Sequence, residues 1–144
     1  MKYKIKSEKE MQNIAKEFAK ILCGGELILL YGNLGVGKTF FVRELAKAYG
    51  VKENVKSPTF NIMKCYKTVK EEKVKKICHI DAYRINSLND LLDIGVEDYM
   101  DSDSIVIIEW AERVKGIDKL SKKNIKIKID YGKKDNERDI EINQ

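Results

Sequence analysis

Residues 26–50, "ELILLYGNLGVGKTFFVRELAKAYG", decide the predicted fold. The stretch opens with a short apolar run, "ELILLY", which is typical of a strand buried on both faces. Glycines then interrupt the run, and apolar residues recur at helical spacing until Gly50, which is a stop signal for a helix. A strand, a glycine loop and a helix in this order predict an α/β fold.

The glycine loop, residues 32–39, matches the pattern G-x-x-x-x-G-K-[ST] at every fixed position. Glycines permit the backbone angles that turn successive N–H groups toward an anion, and the following helix adds its positive dipole end. Lys38 would supply a mobile charge for the outer phosphates of a nucleotide, and the Thr39 hydroxyl can bind Mg²⁺. The predicted nucleotide-binding residues of the loop and helix start are Gly32, Asn33, Leu34, Gly35, Val36, Gly37, Lys38, Thr39 and Phe40.

A glycine-rich turn that only joins a strand to a helix would explain the same letters. The strand pattern before the loop and the helical pattern after it favour the nucleotide site instead. The guanine-reading Asn-Lys-x-Asp motif does not occur in the sequence, so ATP is the expected nucleotide.

Magnesium that is bound with a nucleotide also needs an acidic residue, commonly at the end of a neighbouring buried strand. Two apolar runs end in this way, because "IVIIE" ends in Glu109 and "ICHID" ends in Asp81. We expect Glu109 to be the magnesium-linked acid, since its run is the more uniformly apolar, and Asp81 to orient water or a supporting group. Trp110 follows directly, and its position fits a contact with the nucleotide, a contact with a partner, or packing in the core.

The rest of the chain completes the predicted architecture. Ser7 and Glu10 have capping-box spacing, and the apolar residues that follow at helical spacing predict a helix that ends before Gly24. Further strands are predicted at 60–69, 74–85, 104–110, 124–132 and 138–143, with a short helix after Ser87. Together these elements predict a single P-loop NTPase-like domain over residues 1–144, in which helices flank a mixed β-sheet.

Composition narrows the class of protein. With 43% hydrophobic and 35% charged residues, the sequence is typical of a soluble globular domain. No apolar run approaches the roughly 18 residues of a membrane span, and the N-terminus lacks the apolar core of a signal peptide, so we expect a cytoplasmic protein without membrane contact. The net charge of +5 comes from lysines interleaved with acids, which does not by itself predict nucleic-acid binding. The three cysteines, Cys23, Cys65 and Cys78, are expected to be buried free thiols.

Four segments in this order, "GNLGVGKTFFVREL", "SPTF", "HIDAYRI" and "IIEW", resemble the bacterial TsaE (YjeE) family over nearly the whole chain. The resemblance implies an ATPase that supports N6-threonylcarbamoyladenosine modification of tRNA. It also implies TsaD and TsaB as protein partners, with tRNA engaged only indirectly through their complex. Such a protein would not transfer the threonylcarbamoyl group, and its ATP hydrolysis would reset the TsaB–TsaD assembly between turnovers.

The resemblance assigns roles to individual residues. Thr59 of "SPTF" would lie in a switch-like segment near the γ-phosphate, and Asp81 would be required for activity. Glu109 would help to hold Mg²⁺, and Trp110 would lie beside the nucleotide. The predicted catalytic residues are thus Lys38, Thr59, Asp81 and Glu109, and the predicted magnesium ligands are Thr39 and Glu109.

Two other functions remain compatible with the glycine loop. A small-metabolite P-loop kinase would need an acceptor pocket and an arginine-bearing lid, for which Arg84 and Arg113 are the available candidates. A nucleotide-dependent interaction module with negligible turnover would need neither. The expected enzyme is instead a Mg²⁺-dependent ATP hydrolase that is slow alone and stimulated by its partners.

Overall fold

A seven-stranded mixed sheet forms the centre of the molecule. The structure is a computed structural model and describes residues 1–58, 60–69 and 73–144. The strands are β1 (Lys2–Ile5), β2 (Leu27–Tyr31), β3 (Met63–Lys67), β4 (Lys76–Asp81), β5 (Ser104–Glu109), β6 (Asn124–Tyr131) and β7 (Arg138–Asn143). The mixed sheet with flanking helices confirms the predicted α/β fold class.

The strand order is β1-β7-β6-β2-β5-β4-β3. Strand β2 pairs in parallel with both β5 and β6, and β4 pairs in parallel with β5. The outer pairs, β1 with β7, β7 with β6 and β3 with β4, are antiparallel. The carboxyl ends of β2, β5 and β4 therefore meet at one edge of the sheet, where α/β proteins commonly bind their ligands.

Helices cover both faces of the sheet. The α-helices are α1 (Glu8–Ile21), α2 (Lys38–Ala48) and α3 (Leu88–Asp93), and short 3₁₀ turns cover Val96–Tyr99, Ala111–Arg113 and Ile117–Leu120. Helix α1 begins as predicted, because the Ser7 hydroxyl accepts a hydrogen bond from the Glu10 N–H at 3.3 Å. Within the described ranges, no helix is long and apolar enough to cross a membrane.

Two apolar clusters hold the layers together, one on each side of the sheet. Alternate residues of β2 point to opposite faces, as strand geometry requires. Ile28 packs with Phe18 and Phe41 from α1 and α2. Leu29 packs on the other face with Leu91 of α3 and Val96 of the first 3₁₀ turn. Because β2 is buried on both faces, the glycine loop starts from a strand with little freedom to move.

Two local features differ from the prediction, and a third prediction is not tested. Strand β1 was not predicted, although "KYKI" alternates polar and apolar residues as an edge strand does. Strands β3 and β4 are shorter than the predicted runs, because the backbone takes a positive φ of 63° at Ile62 and turns after Asp81. The predicted turn between these strands falls largely on residues 70–72, which lie outside the described residues.

The prediction of three buried free thiols is wrong. Cys65 and Cys78 are direct partners in the antiparallel β3–β4 register and form a disulfide. Cys23 is free but exposed, just beyond the end of α1. The sequence spacing of the cysteines carried no sign of this pairing, since the register of the two strands alone brings the side chains together.

Candidate functional site

The glycine loop lies between β2 and α2 and takes its shape from glycines at defined positions. Gly32, Gly35 and Gly37 have positive φ angles of 145°, 74° and 115°. A Cβ atom on Gly32 would lie 2.3 Å from the Ile129 carbonyl oxygen, so no other residue fits at this position. The loop therefore closes tightly over the end of β6 before α2 begins.

Lys38 is the first residue of α2, and its side chain folds back over the loop. The ammonium donates hydrogen bonds to the carbonyl oxygens of Gly32 and Asn33, the latter at 3.0 Å, and lies 3.8 Å from the centre of the Trp110 ring. Burial lowers the pKa of Lys38, while the carboxylates of Glu109, Glu112 and Asp81 act in the opposite direction. The loop thus holds a partly desolvated cation that can exchange its carbonyl partners for phosphate oxygens.

Thr39 and Glu109 meet directly, as their predicted common role requires. The Thr39 hydroxyl donates to Glu109 Oε1 at 2.7 Å. Glu109 is the last residue of β5 and is only 3% exposed. Nε2 of His79, on the neighbouring strand β4, lies 2.9 Å from the same carboxylate oxygen.

The donor set at this point suits magnesium. A hydroxyl and a carboxylate are hard oxygen donors, and Mg²⁺ in nucleotide sites takes one or two such protein ligands beside phosphates and water. In the part of the chain that the structure describes, no cluster of three or more His, Cys, Asp or Glu side chains forms a metal site of another kind. The residues present therefore fit a nucleotide-bound Mg²⁺ and not an all-protein metal cage.

Asp81 ends β4 directly opposite Glu109 in the strand register, but its partners are different. Its Oδ2 accepts a hydrogen bond from the Ser57 hydroxyl at 2.7 Å, and its Oδ1 accepts one from the Tyr83 N–H at 2.9 Å. Ser57 opens the "SPTF" segment. Asp81 therefore connects the end of β4 to that segment, whereas Glu109 connects the end of β5 to α2.

Trp110 has a positive φ of 58°, which turns the chain sharply after Glu109. Its ring is half-buried, with its centre 5.0 Å from the centre of the Tyr83 ring. The Arg113 guanidinium lies 5.1 Å from the centre of the Tyr83 ring. The ring lies next to the Lys38 ammonium and also packs against the apolar cluster on the α3 side of the sheet. Its contact with a nucleotide or a partner stays a prediction.

A cavity of about 550 Å³ lies between the loop and the ends of β4 and β5. The predicted site residues that line it are Leu34, Gly35, Gly37, Lys38, Thr39, Phe40, Asp81, Glu109 and Trp110. Further lining residues that the sequence did not single out are Ser57, Ile62 and Tyr83, together with Arg84, a candidate only for the kinase alternative. Gly32, Asn33 and Val36 shape the loop behind this lining. Thr59 lies outside the described residues, so its role stays a prediction.

The outer side of the loop is held by residues that carry no sequence signal. The Tyr131 hydroxyl donates to the Leu34 carbonyl at 2.7 Å, and Arg138 Nε donates to the Val36 carbonyl at 2.9 Å. The Arg138 guanidinium also stacks 4.7 Å from the centre of the Tyr131 ring. Because these bonds join the loop backbone to β6 and β7, the two strands help to fix the loop conformation.

Comparison with known proteins identifies the family. The family model described as "Threonylcarbamoyl adenosine biosynthesis protein TsaE" matches residues 5–140. The chain belongs to the TsaE family. This confirms the resemblance drawn from the motifs.

Other TsaE proteins match over most of their length. A Rickettsia prowazekii protein named "tRNA threonylcarbamoyladenosine biosynthesis protein TsaE" is 42% identical over 112 residues, which cover 77% of this chain and 74% of the relative. A Haemophilus influenzae protein of the same name is 36% identical over 143 residues, with 96% and 85% covered. The crystal structure of Bacillus subtilis YdiB superposes with a TM-score of 0.74 at 26% identity, covering 97% of this chain and 82% of YdiB. The names of the TsaE relatives place the family in tRNA threonylcarbamoyladenosine biosynthesis.

Proposed function

We propose that this TsaE family member binds ATP with Mg²⁺ and hydrolyses it in support of N6-threonylcarbamoyladenosine formation in tRNA, acting with the proteins TsaD and TsaB. The observation that carries the proposal is the hydrogen bond of Thr39 to Glu109, made beside Lys38 at the start of α2. The names of the relatives support the pathway. The partners follow from the family resemblance.

The loop and α2 supply the phosphate contacts in this proposal. The N–H groups of the loop and of the first turn of α2 bind phosphate oxygens, and the positive end of the helix dipole adds to the attraction. Lys38 exchanges the Gly32 and Asn33 carbonyls for the outer phosphates. Its partial desolvation strengthens that contact, because charges attract more strongly where water is excluded.

Thr39 and Glu109 hold the metal, and Mg²⁺ when bound neutralises charge that develops on the phosphate oxygens. Asp81 orients the attacking water through its carboxylate. Trp110 and Tyr83 form an aromatic wall that limits the access of other water and offers a surface for the base or ribose.

The partners govern the rate. Phosphoryl transfer depends on a positioned water and on added positive charge, and help of this kind raises rates by about 10³ to 10⁵. Leu34 lines the cavity and is exposed, so the described residues leave this side of the site uncovered. A docked TsaB–TsaD pair would close that side.

Measurement of ATP hydrolysis tests the proposal. We expect slow turnover for the protein alone, faster turnover with TsaB–TsaD, and loss of ATP binding or hydrolysis in Lys38→Ala. The matched control is Lys47→Ala, because Lys47 lies on the same helix but is exposed and paired with Glu44. Unchanged ATP affinity and turnover in folded Lys38→Ala would refute the nucleotide site. Phosphate transfer to a small acceptor, without association with TsaB–TsaD, would favour a kinase.

A further inference from the structure

The single histidine of the sequence, His79, lies in β4 and is 0% exposed. Its Nε2 is 2.9 Å from Glu109 Oε1. Its Nδ1 is buried and has no hydrogen-bond partner among the described residues. A buried imidazole with one nitrogen in contact and the other unpaired calls for an explanation, since an unpaired polar atom in a core is destabilising.

The contact with Glu109 determines which nitrogen carries the hydrogen. A carboxylate that holds a metal has only acceptors, so in the proposed role Nε2 donates to Glu109 and Nδ1 carries the lone pair of the imidazole. In this tautomer no N–H group lacks an acceptor. The alternative tautomer would bury an unpaired Nδ1–H and would therefore be less stable. The geometry therefore makes His79 a donor to Glu109.

Glu109 Oε1 receives two hydrogen bonds from opposite sides of the site. Thr39 donates from α2 and His79 donates from β4. Two contacts to one oxygen restrain the carboxylate, and Oε2 has no hydrogen-bond partner among the described residues, so it is available to a cation. Thr39 would be redirected to the metal in the proposed function, and His79 would then be the donor that continues to hold the carboxylate.

We propose that His79 is a positioning residue that orients Glu109 for Mg²⁺. This inference rests on the proposed Mg²⁺-dependent binding of ATP. On the same face of the sheet, His79 lies next to Ile77 of its own strand and next to Ile105 and Ile107 of β5. An apolar side chain would fill the same space among these residues without an unpaired nitrogen. The contact with Glu109 is what an apolar residue would lose, and residues that support a metal ligand in this way typically change metal affinity by about 10- to 100-fold.

The experiment measures Mg²⁺ affinity at a fixed ATP concentration, and ATP affinity in EDTA, for the whole chain. The variants are His79→Leu, which removes the donor, and His79→Gln, whose amide offers a donor near the position of Nε2. The matched control is Ile77→Ala, because Ile77 is equally buried on the same face of the same strand and does not contact Glu109.

We expect His79→Leu to weaken Mg²⁺ binding by about 10- to 100-fold and to change ATP affinity in EDTA by no more than about twofold. His79→Gln should recover most of the Mg²⁺ affinity. Ile77→Ala should lower stability and leave Mg²⁺ affinity unchanged. The inference is overturned if His79→Leu binds Mg²⁺ as the wild type does, or if it loses metal-free ATP binding to the same extent.

A second measurement does not depend on the folding of any variant. Long-range ¹H–¹⁵N spectra of the wild-type imidazole should show the Nε2–H tautomer, and an Nδ1–H tautomer would overturn the inference. Failure of the proposed function gives a different result, because the wild type itself would then bind ATP without any effect of Mg²⁺. If the wild type depends on Mg²⁺ and His79→Leu depends on it equally, only the proposed role of His79 is wrong.

Discussion

The ends of β4 and β5 each carry a carboxylate, and the two residues are direct partners in the sheet. Glu109 is almost fully buried, and both hydrogen bonds of its carboxylate come from regular elements, α2 and β4. Asp81 is half-buried and bonds to Ser57 and to the N–H of Tyr83, both outside helices and strands. Of two acids at one register position, one is thus held by regular secondary structure and the other by residues outside it.

The difference supports the different tasks proposed for the two acids. A metal ligand must keep its orientation, which buried donors on packed elements provide. A group that orients water during turnover must change its position when the nucleotide binds. The hydrogen bond of Asp81 to Ser57, which lies outside helices and strands, is compatible with such a change. Strand position alone would have treated the two acids as equivalent.

The largest expected effect is that of Glu109→Gln. Replacing the carboxylate by an amide keeps the size of the side chain but removes the charge that holds Mg²⁺. We expect Mg²⁺ affinity to fall about 10³-fold, beyond the 10- to 100-fold seen for residues that only support a ligand. Calorimetric titration of ATP with and without Mg²⁺ measures this. Loss of Mg²⁺ dependence in Asp81→Asn, and not here, would reverse the assignment of the two acids.

Asp81→Asn should reduce turnover about 10²-fold. This is the lower end of the range of about 10² to 10⁴ that a general acid or base contributes to the rate. Mg²⁺ affinity should stay within about threefold of the wild type, because the Asp81 carboxylate makes its hydrogen bonds to Ser57 and Tyr83 and none to Thr39 or Glu109. Single-turnover hydrolysis in the presence of TsaB–TsaD gives the rate. Equal losses of turnover and of Mg²⁺ affinity would mean that the two carboxylates act as one metal site.

Ser57→Ala should have a smaller effect of the same kind. It removes one of the two hydrogen bonds to Asp81, which is worth about 1 kcal/mol, or about a fivefold change in rate. In the Asp81→Asn background the same substitution should have little further effect, since coupled residues are not additive. Additive losses in this double-mutant cycle would show that Ser57 acts independently of Asp81.

The smallest effect is expected for Tyr131→Phe, because the Tyr131 hydroxyl bonds to the loop and not to Asp81 or Glu109. Loss of its hydrogen bond to the Leu34 carbonyl should loosen the loop and weaken ATP and ADP binding by about threefold each. Neither the Mg²⁺ dependence nor the turnover of the bound state should change. A selective loss of Mg²⁺ affinity would show that the loop, and not the strand end, sets the metal site.

The sequence was sufficient for the parts of the site that are local. The loop pattern located Gly32 to Thr39, and the apolar runs located Asp81 and Glu109 at strand ends, because strand and helix periodicity are short-range signals. The sequence ranked the two acids only by the apolarity of their strands. Their different bonding partners depend on which loop lies beside each strand end.

Long-range contacts could not be predicted in the same way. Tyr131 and Arg138 reach the loop from 97 and 102 residues away, and nothing in their neighbourhood marks them. The Cys65–Cys78 disulfide depends on a register that strand patterns do not fix. His79 lies within the "HIDAYR" segment, but nothing in the sequence indicates its contact with Glu109. That contact depends on the pairing of β4 with β5.

The support of the loop by β6 and β7 has a consequence for synthesis on the ribosome. The phosphate-binding loop is translated early, but Arg138, which holds the Val36 carbonyl, emerges about 100 residues later. Strand β2 also lacks its β6 neighbour until residues 124–131 have been made. A nascent chain that stops short of β6 therefore presents an apolar strand with one unpaired edge, which is prone to aggregate and suited to chaperone binding. If the proposed nucleotide site is correct, ATP would stabilise the protein only near the end of translation, once β6 and β7 have joined the sheet.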